Sequence, residues 1–130
     1  KLGVPYILMS THGDMKDIML NFAREVQLLR DLGAKDIILD PGFGFGKTLE
    51  QNYTLLDNME QLKAFNLPIL VGASRKSMIF KLLGSSPAEA LNGTTVINTM
   101  SLLKGASILR VHDVKECVET VKIVKATVGE

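Results

Sequence analysis

Short apolar runs alternate with amphipathic stretches along the whole chain. Val4 to Met9 is continuously apolar, the pattern of a parallel strand buried on both faces. Asp14 then stands as an N-cap, and Ile18, Met19, Phe22, Val26 and Leu29 recur at helical spacing until Gly33 stops them. Ile37 to Leu39 predicts a second strand that ends at Asp40. Leu49, Tyr53, Leu56, Met59 and Leu62 line one face of a second helix, which Pro68 forbids from continuing. Ile69 to Val71 reads as the third strand, and Ser74 as the cap of a short helix running to about Leu83. Ser86-Pro87-Ala88-Glu89 has the form of a capping box with proline at the first helical position. The helix it opens is expected to reach Lys104, with an interruption near Gly93 and a stop at Gly105. Ile108 to Val111 predicts the fourth strand. Asp113 with Glu116 caps a last helix whose buried stripe is Val114, Val118, Val121, Val124 and Val128.

One plan is thus written four times: apolar strand, polar loop, capped helix. Four βα units of this kind demand an α/β fold with parallel strands and right-handed crossovers. The pattern alone fits both a doubly wound sheet and a (βα)8 barrel.

Composition narrows the partners. Fifteen basic residues against fourteen acidic ones leave a net charge of +1 over 130 residues. That balance carries no nucleic-acid footprint and no membrane-surface bias. No apolar run approaches the roughly 20 residues of a membrane span. The single Cys117 allows no intramolecular disulfide and fits a reducing compartment, so a cytoplasmic protein is expected. In its helix Cys117 reads as a small core residue. The chain opens at Lys1 without methionine and enters a strand almost at once, which leads to the expectation that further sequence lies upstream.

Chemistry concentrates in Asp40-Pro41-Gly42-Phe43-Gly44-Phe45-Gly46-Lys47-Thr48. A carboxylate stands where a buried strand ends, with three alternating glycines behind it. Two familiar motifs are excluded. A nucleotide phosphate loop needs four residues between its first glycine and Gly-Lys-Thr, whereas Gly42 and Gly46 enclose three. A dinucleotide fingerprint needs Gly-x-Gly-x-x-Gly. Lys47 and Thr48 therefore need no nucleotide, and Thr48 with Gln51 reads as a capping box. Phe43 and Phe45 are expected to form one wall of a pocket. Asp40, Lys76, Arg110 and His112 each follow a strand at its C-terminal end, the edge where parallel α/β sheets bind ligands. One carboxylate among several cations suits an anionic substrate with a polar ring, not the paired carboxylates of glycoside hydrolysis. Two histidines and one cysteine provide no self-contained metal site.

The glycine-rich stretch resembles the signature of the dihydropteroate synthase family, the folate-pathway enzymes inhibited by sulfonamides. Gly72-Ala73-Ser74-Arg75-Lys76-Ser77 and Gly105-Ala106-Ser107-Ile108-Leu109-Arg110-Val111-His112-Asp113-Val114 match the same family, in the same order. The resemblance runs nearly end to end but covers only the C-terminal half of the family's chain. It implies strands five to eight of a (βα)8 TIM barrel, with residues 1–130 a partial pterin-binding domain. It further implies condensation of 6-hydroxymethyl-7,8-dihydropterin diphosphate with 4-aminobenzoate, releasing diphosphate, with Mg2+ as cofactor. The metal's ligand would lie in the absent N-terminal half, and this half alone would be inactive. A homodimer through the C-terminal helices is also implied.

Residue by residue, the resemblance gives Asp40, Lys76, Arg110, His112 and Met9 to the pterin diphosphate. It gives Gly44, Phe45 and Ser77 to 4-aminobenzoate. Each has a plainer alternative. Asp40 satisfies loop amides, Phe45 packs in its loop, Met9 packs in the core, Ser77 is a first-turn serine and His112 is structural. Lys76 in a first helical turn would oppose the helix dipole, which favours a ligand role. Arg110 and His112 alternate, so they point the same way, toward a diphosphate. Arg75 is either a surface charge or the partner of a neighbouring acid, and Asp113 a cap. Ser10-Thr11 departs from the family's usual Leu-Met-His-Met loop, which leaves His12 as a surface histidine. Two other readings remain: a methyltetrahydrofolate-type pterin-binding methyltransferase, and a non-catalytic half-barrel serving binding or dimerisation.

Overall fold

A computed structural model describes residues 4–129. Lys1, on which the expectation of upstream sequence rests, lies outside them. The chain runs β1 (Tyr6–Met9), α1 (Met15–Asp31), β2 (Ile37–Asp40), α2 (Leu49–Asn58), a 3₁₀ segment (Met59–Phe65), β3 (Leu70–Val71), α3 (Ser77–Leu83), a 3₁₀ turn (Pro87–Glu89), α4 (Leu91–Leu103), β4 (Ile108–Leu109) and α5 (Val114–Val128). All strand pairs are parallel. Tyr6 to Met9 run opposite Ile37 to Asp40, and Leu70 and Val71 opposite Ile108 and Leu109. Between β2 and β3 there is a single parallel bridge, Leu39 to Ile69.

The strand order is therefore β1-β2-β3-β4, with no reversal. A doubly wound sheet reverses its order and covers both faces with helices. Here the core lies on one face only. Leu8, Ile37, Leu39, Ile69 and Val71 pack outward against Ile18, Phe22, Val26, Leu55, Leu56, Met59, Leu62, Met78 and Ile79. Side chains alternate along strands, so Ile7, Met9, Ile38, Asp40, Leu70, Ile108 and Arg110 share the inner face. Of these Ile7 is 52% exposed and Ile108 37%. This is the geometry of a curved barrel wall.

The inner face also corrects the reading of β1. Expected to be buried on both sides from Val4, it begins at Tyr6, and only Leu8 is buried. Among the described residues it has one neighbouring strand, and none covers its inner side.

Two of the local capping signals held. Asp14 accepts the Lys16 N–H. Thr48 and Gln51 form both bonds of a capping box. The second helix tightens to 3₁₀ at Met59 and stops before Pro68, at a left-handed Asn66. Ser86-Pro87-Ala88-Glu89 gives only a 3₁₀ turn without a side-chain cap. The break before α4 falls at Ala90, and the helix passes Gly93 uninterrupted. A Cβ there would press on Ile79, so Gly93 lets α4 lie close to α3.

The last helix keeps only part of its expected buried stripe. Cys117, Thr120 and Val124 are buried, whereas Val114, Val118 and Val128 are exposed. Asp113 does not cap α5 with its side chain; its carboxylate takes both prongs of the Arg75 guanidinium at 2.9 Å. Arg75 also donates to the Pro87 and Ala88 carbonyls. The loops after β3 and β4 are thereby locked together.

Gly42 marks the sharpest requirement in the glycine-rich loop. It has φ +79°, and a Cβ would collide with the Ser10 carbonyl oxygen. Gly42→Ala should therefore destabilise the fold more than Thr48→Ala, which removes a cap worth about 1 kcal/mol. Urea unfolding of the two variants measures the order directly.

Candidate active site

Asp40 is the centre of the site. It ends β2 on the inner face and is 3% exposed. One carboxylate oxygen accepts the Gly42 N–H at 2.9 Å. The other lies 3.7 Å from the Arg110 guanidinium. Arg110 reaches it across β3, where Gly72 leaves room: a Cβ on Gly72 would stand 2.6 Å from an Arg110 terminal nitrogen. The reading of Asp40 as a group satisfying loop amides is thus true of one oxygen, and acceptor capacity remains on both.

Lys76 comes from the next loop. Its Nζ donates to the Phe43 carbonyl at 2.8 Å and lies 4.6 Å above the Phe45 ring, a cation–π contact. It is the N-cap residue of α3, in an extended conformation, and not a first-turn residue. Its ammonium is held by Phe43 and Phe45, so the dipole argument for it falls away. Burial pushes its pKa down, Arg110 adds to that, and Asp40 opposes it. Ser77 follows as the first residue of α3, half-buried beside Lys76.

His112 sits beyond β4. Its Nδ1 is 2.9 Å from the Ser74 hydroxyl, which also accepts the His112 N–H at 3.2 Å. Ser74 is therefore not the helix cap the sequence predicted. A long-range partner claims its oxygen. Gly72, Ser74, Lys76, Arg110, Val111 and His112 line a cavity of about 110 Å³. A larger cavity of about 620 Å³ lies beside the start of β4, lined by Leu102, Leu109, Cys117, Val121 and Val124. It gathers no comparable set of charges, and burial pushes the Cys117 thiol pKa up, the state of an unreactive core cysteine.

The sequence-predicted residues thus converge unevenly. Asp40, Lys76, Arg110 and His112 share one mouth. Gly44 and Phe45 border it through Lys76, with a Gly44 Cβ position only 3.3 Å from the lysine stem. Met9 pairs with Asp40 in register and is 38% exposed on the same face. Phe43 does not form a wall of the site: it is fully buried in the core behind the loop. His12 is exposed, as expected.

Three residues escaped the sequence reading. Asn52, buried on α2, accepts the Gly44 N–H and returns a bond to the Thr48 carbonyl. Ser10 is fully buried and donates its N–H to the Asp40 carbonyl. Lys47 donates to the carbonyls of Ser10, Gly42 and Phe45 at 3.3, 3.0 and 3.2 Å. Burial lowers its pKa to about 8, against the pull of Asp40 and with a further push from Lys76. A polar residue on an apolar helix face was the signal for Asn52. Nothing local singled out Ser10.

No group of three or more His, Cys, Asp or Glu side chains that could hold a metal gathers among the described residues. Asp40 is engaged by an amide and a guanidinium, with Lys47 and Lys76 nearby. These residues do not fit a magnesium site.

Residues 3–112 match the family model described as pterin binding enzyme. A dihydropteroate synthase of Escherichia coli K12 is 41% identical, the match covering 98% of this chain and 50% of that protein. One from Synechocystis is 42% identical over 91% of this chain and 42% of its own. Among solved structures, the Yersinia pestis dihydropteroate synthase superposes with a TM-score of 0.93 at 40% identity, covering 98% of this chain and 56% of that one. The Xanthomonas albilineans dihydropteroate synthase, solved with 4-aminobenzoic acid, gives 0.90 at 30% identity, over 95% and 49%. The chain spans about half the length of the curated relatives it matches. Its one-sided parallel sheet is accordingly part of a TIM barrel. With the family model covering most of its length, the chain belongs to the pterin binding enzymes.

Proposed function

We propose that this chain forms the substrate-holding part of a dihydropteroate synthase, its four units corresponding to strands five to eight of the barrel. The reaction joins the amine of 4-aminobenzoate to the methylene carbon of 6-hydroxymethyl-7,8-dihydropterin diphosphate. The new C–N bond forms as the C–O bond breaks, the bonding pair leaves on diphosphate, and the amine gives up a proton to solvent. One observation carries this reading: a nearly buried carboxylate at a strand end with Arg110 3.7 Å away and Lys76 beside it. Adjacent N–H donors of an amino-pyrimidinone edge suit the free acceptor sites of Asp40, much as a guanidinium fork does. Arg110 and His112 then face the diphosphate, stabilising charge that grows as the bond breaks. Phe45 and Ser77 border the second substrate. Met9 flanks the pterin.

Relatives support the assignment of ligands. The Yersinia pestis enzyme has been solved with a pterine-sulfa conjugate, and the Xanthomonas albilineans enzyme with 4-aminobenzoic acid. In this proposal the magnesium ligand comes from outside the described residues, and no step above depends on it. The proposal places the enzyme in the cytoplasm; no described helix is long and apolar enough to cross a membrane. It also makes the protein a homodimer, for which exposed Val96, Met100 and Leu103 on α4 and Val114, Val118 and Ile123 on α5 supply apolar surface.

In the complete enzyme, Asp40→Asn, Lys76→Ala and Arg110→Ala should each lower kcat/KM by about ten- to a hundredfold or more, the worth of a hydrogen bond to a charged group. Near-normal diphosphate release by all three would remove the site assignment. Release of diphosphate also separates this reading from a methyl-folate methyltransferase, which produces none.

The lowered lysine pKa sets a pH dependence. A base whose pKa is lowered loses its positive charge sooner as pH rises. Lys76, which faces the pterin diphosphate in this proposal, does so below the ordinary lysine range, driven down by burial and by Arg110. Affinity of the complete enzyme for inorganic diphosphate should therefore weaken as pH rises toward that range. Titration calorimetry between pH 7 and 9 measures it, and an affinity that strengthens over that range would contradict the assigned charges.

A further inference from the structure

Lys47 is the one cation at the mouth that touches only backbone among the described residues. Its ammonium has three donors, and three carbonyls accept them: Ser10 from the loop after β1, and Gly42 and Phe45 from the loop after β2. No donor is left over for a ligand. The three carbonyl dipoles converge with their negative ends together, and without a cation they would repel one another and any nearby anion.

The two loops it joins meet very closely. Gly42 and Gly46 stand against the Ser10 and Thr11 carbonyl oxygens, where no Cβ fits, and both have positive φ. Contact this close needs something to hold it. The loop after β2 makes only a few bonds of its own: Gly42 N–H to Asp40, Gly44 N–H to Asn52 and Phe45 N–H to Gly42. Among the described residues, Lys47 is the side chain that bonds that loop to the loop after β1, as Lys76 bonds it to the loop after β3.

We propose that Lys47 is a positioning residue, an ammonium pin that clamps the glycine-rich loop against the β1 loop and so sets Phe45 and the Asp40 amide contact. The inference rests on the dihydropteroate synthase reading for its kinetic arm only. The Phe45 carbonyl is one of the three acceptors, and its ring lies beneath Lys76. Loss of the pin therefore acts first on the side of the site given to 4-aminobenzoate. The pterin side is less affected, because Asp40 keeps Arg110 beside it.

The test uses Lys47→Met and Lys47→Arg in the complete enzyme. Methionine keeps the stem and removes the charge and donors; arginine keeps the charge but cannot place three bonds on the same three carbonyls. Lys47→Met should raise KM for 4-aminobenzoate by about tenfold while KM for the pterin diphosphate and kcat change by no more than about threefold, as expected for a lost charged hydrogen-bond set outside the reacting centre. Independently of turnover, amide hydrogen exchange at residues 42–46 should quicken by about tenfold, with exchange in α1 unchanged. Wild-type exchange rates in that loop together with an unchanged KM would overturn the pin. If Lys47→Met does not fold, Lys47→Arg decides: faster loop exchange supports the pin, and wild-type exchange overturns it. An enzyme whose wild type releases no diphosphate would defeat the parent reading, and the exchange arm would still judge Lys47.

Discussion

The structure depends on keeping one carboxylate out of water without using up its acceptor sites. A lone buried charge is costly, and Asp40 is 3% exposed. Its solution is partial. One amide from Gly42 and one guanidinium at 3.7 Å offset the burial, and neither closes the oxygens to a further donor. That compromise constrains what surrounds it. Gly42, whose N–H meets Asp40, must take a positive φ against the Ser10 carbonyl, and Gly72 must lack a side chain so that Arg110 can lie across β3. The glycines that look like loop flexibility in the sequence are conditions for this one contact.

The same economy explains why the loops are tied to each other more than to the core. Ser74 bridges to His112, Arg75 to Asp113, Lys76 to the Phe43 carbonyl and Lys47 to Ser10. Each tie joins neighbouring βα loops, so the mouth is a chain of cross-links above the strand ends. β3 and β4 are two residues long in their ladder, and the seam between β2 and β3 is one bridge. Strand pairing this sparse cannot by itself fix four loops in register. The side-chain ties supply what the backbone ladder lacks.

How much was legible follows from that division. Elements held by local rules could be read directly. The stripe Ile18, Phe22, Val26 is buried, and the Thr48–Gln51 box forms. The four strand ends bring Asp40, Lys76, Arg110 and His112 to one mouth, because a parallel βα repeat puts every strand's C-terminus on the same edge. What failed was local reading of residues claimed by distant partners. Ser74 and Asp113 have the residue types of caps, yet their oxygens bond across 38 residues of chain. In α5 the valine stripe is covered only in part: Val124 is buried and Val121 half-buried, while Val114, Val118 and Val128 are exposed. Helical spacing says that a face exists; only the neighbouring α4 says which side of it is covered.

Lys47 shows the limit most sharply. Excluding a phosphate loop by counting residues was sound, and it left the lysine without a stated job. Yet a lysine in a glycine-rich turn at the edge of a buried site has a cost to offset, since burial, with Lys76 nearby, drives its pKa down to about 8 against the pull of Asp40. The residue must therefore meet a ligand or meet backbone. Its three carbonyl partners settle which, and they give the loop what its glycines remove. Glycine lets two backbones approach more closely than side chains permit, but at the largest entropic cost of any residue. A single three-pronged donor at the point of closest approach offsets that cost where it arises.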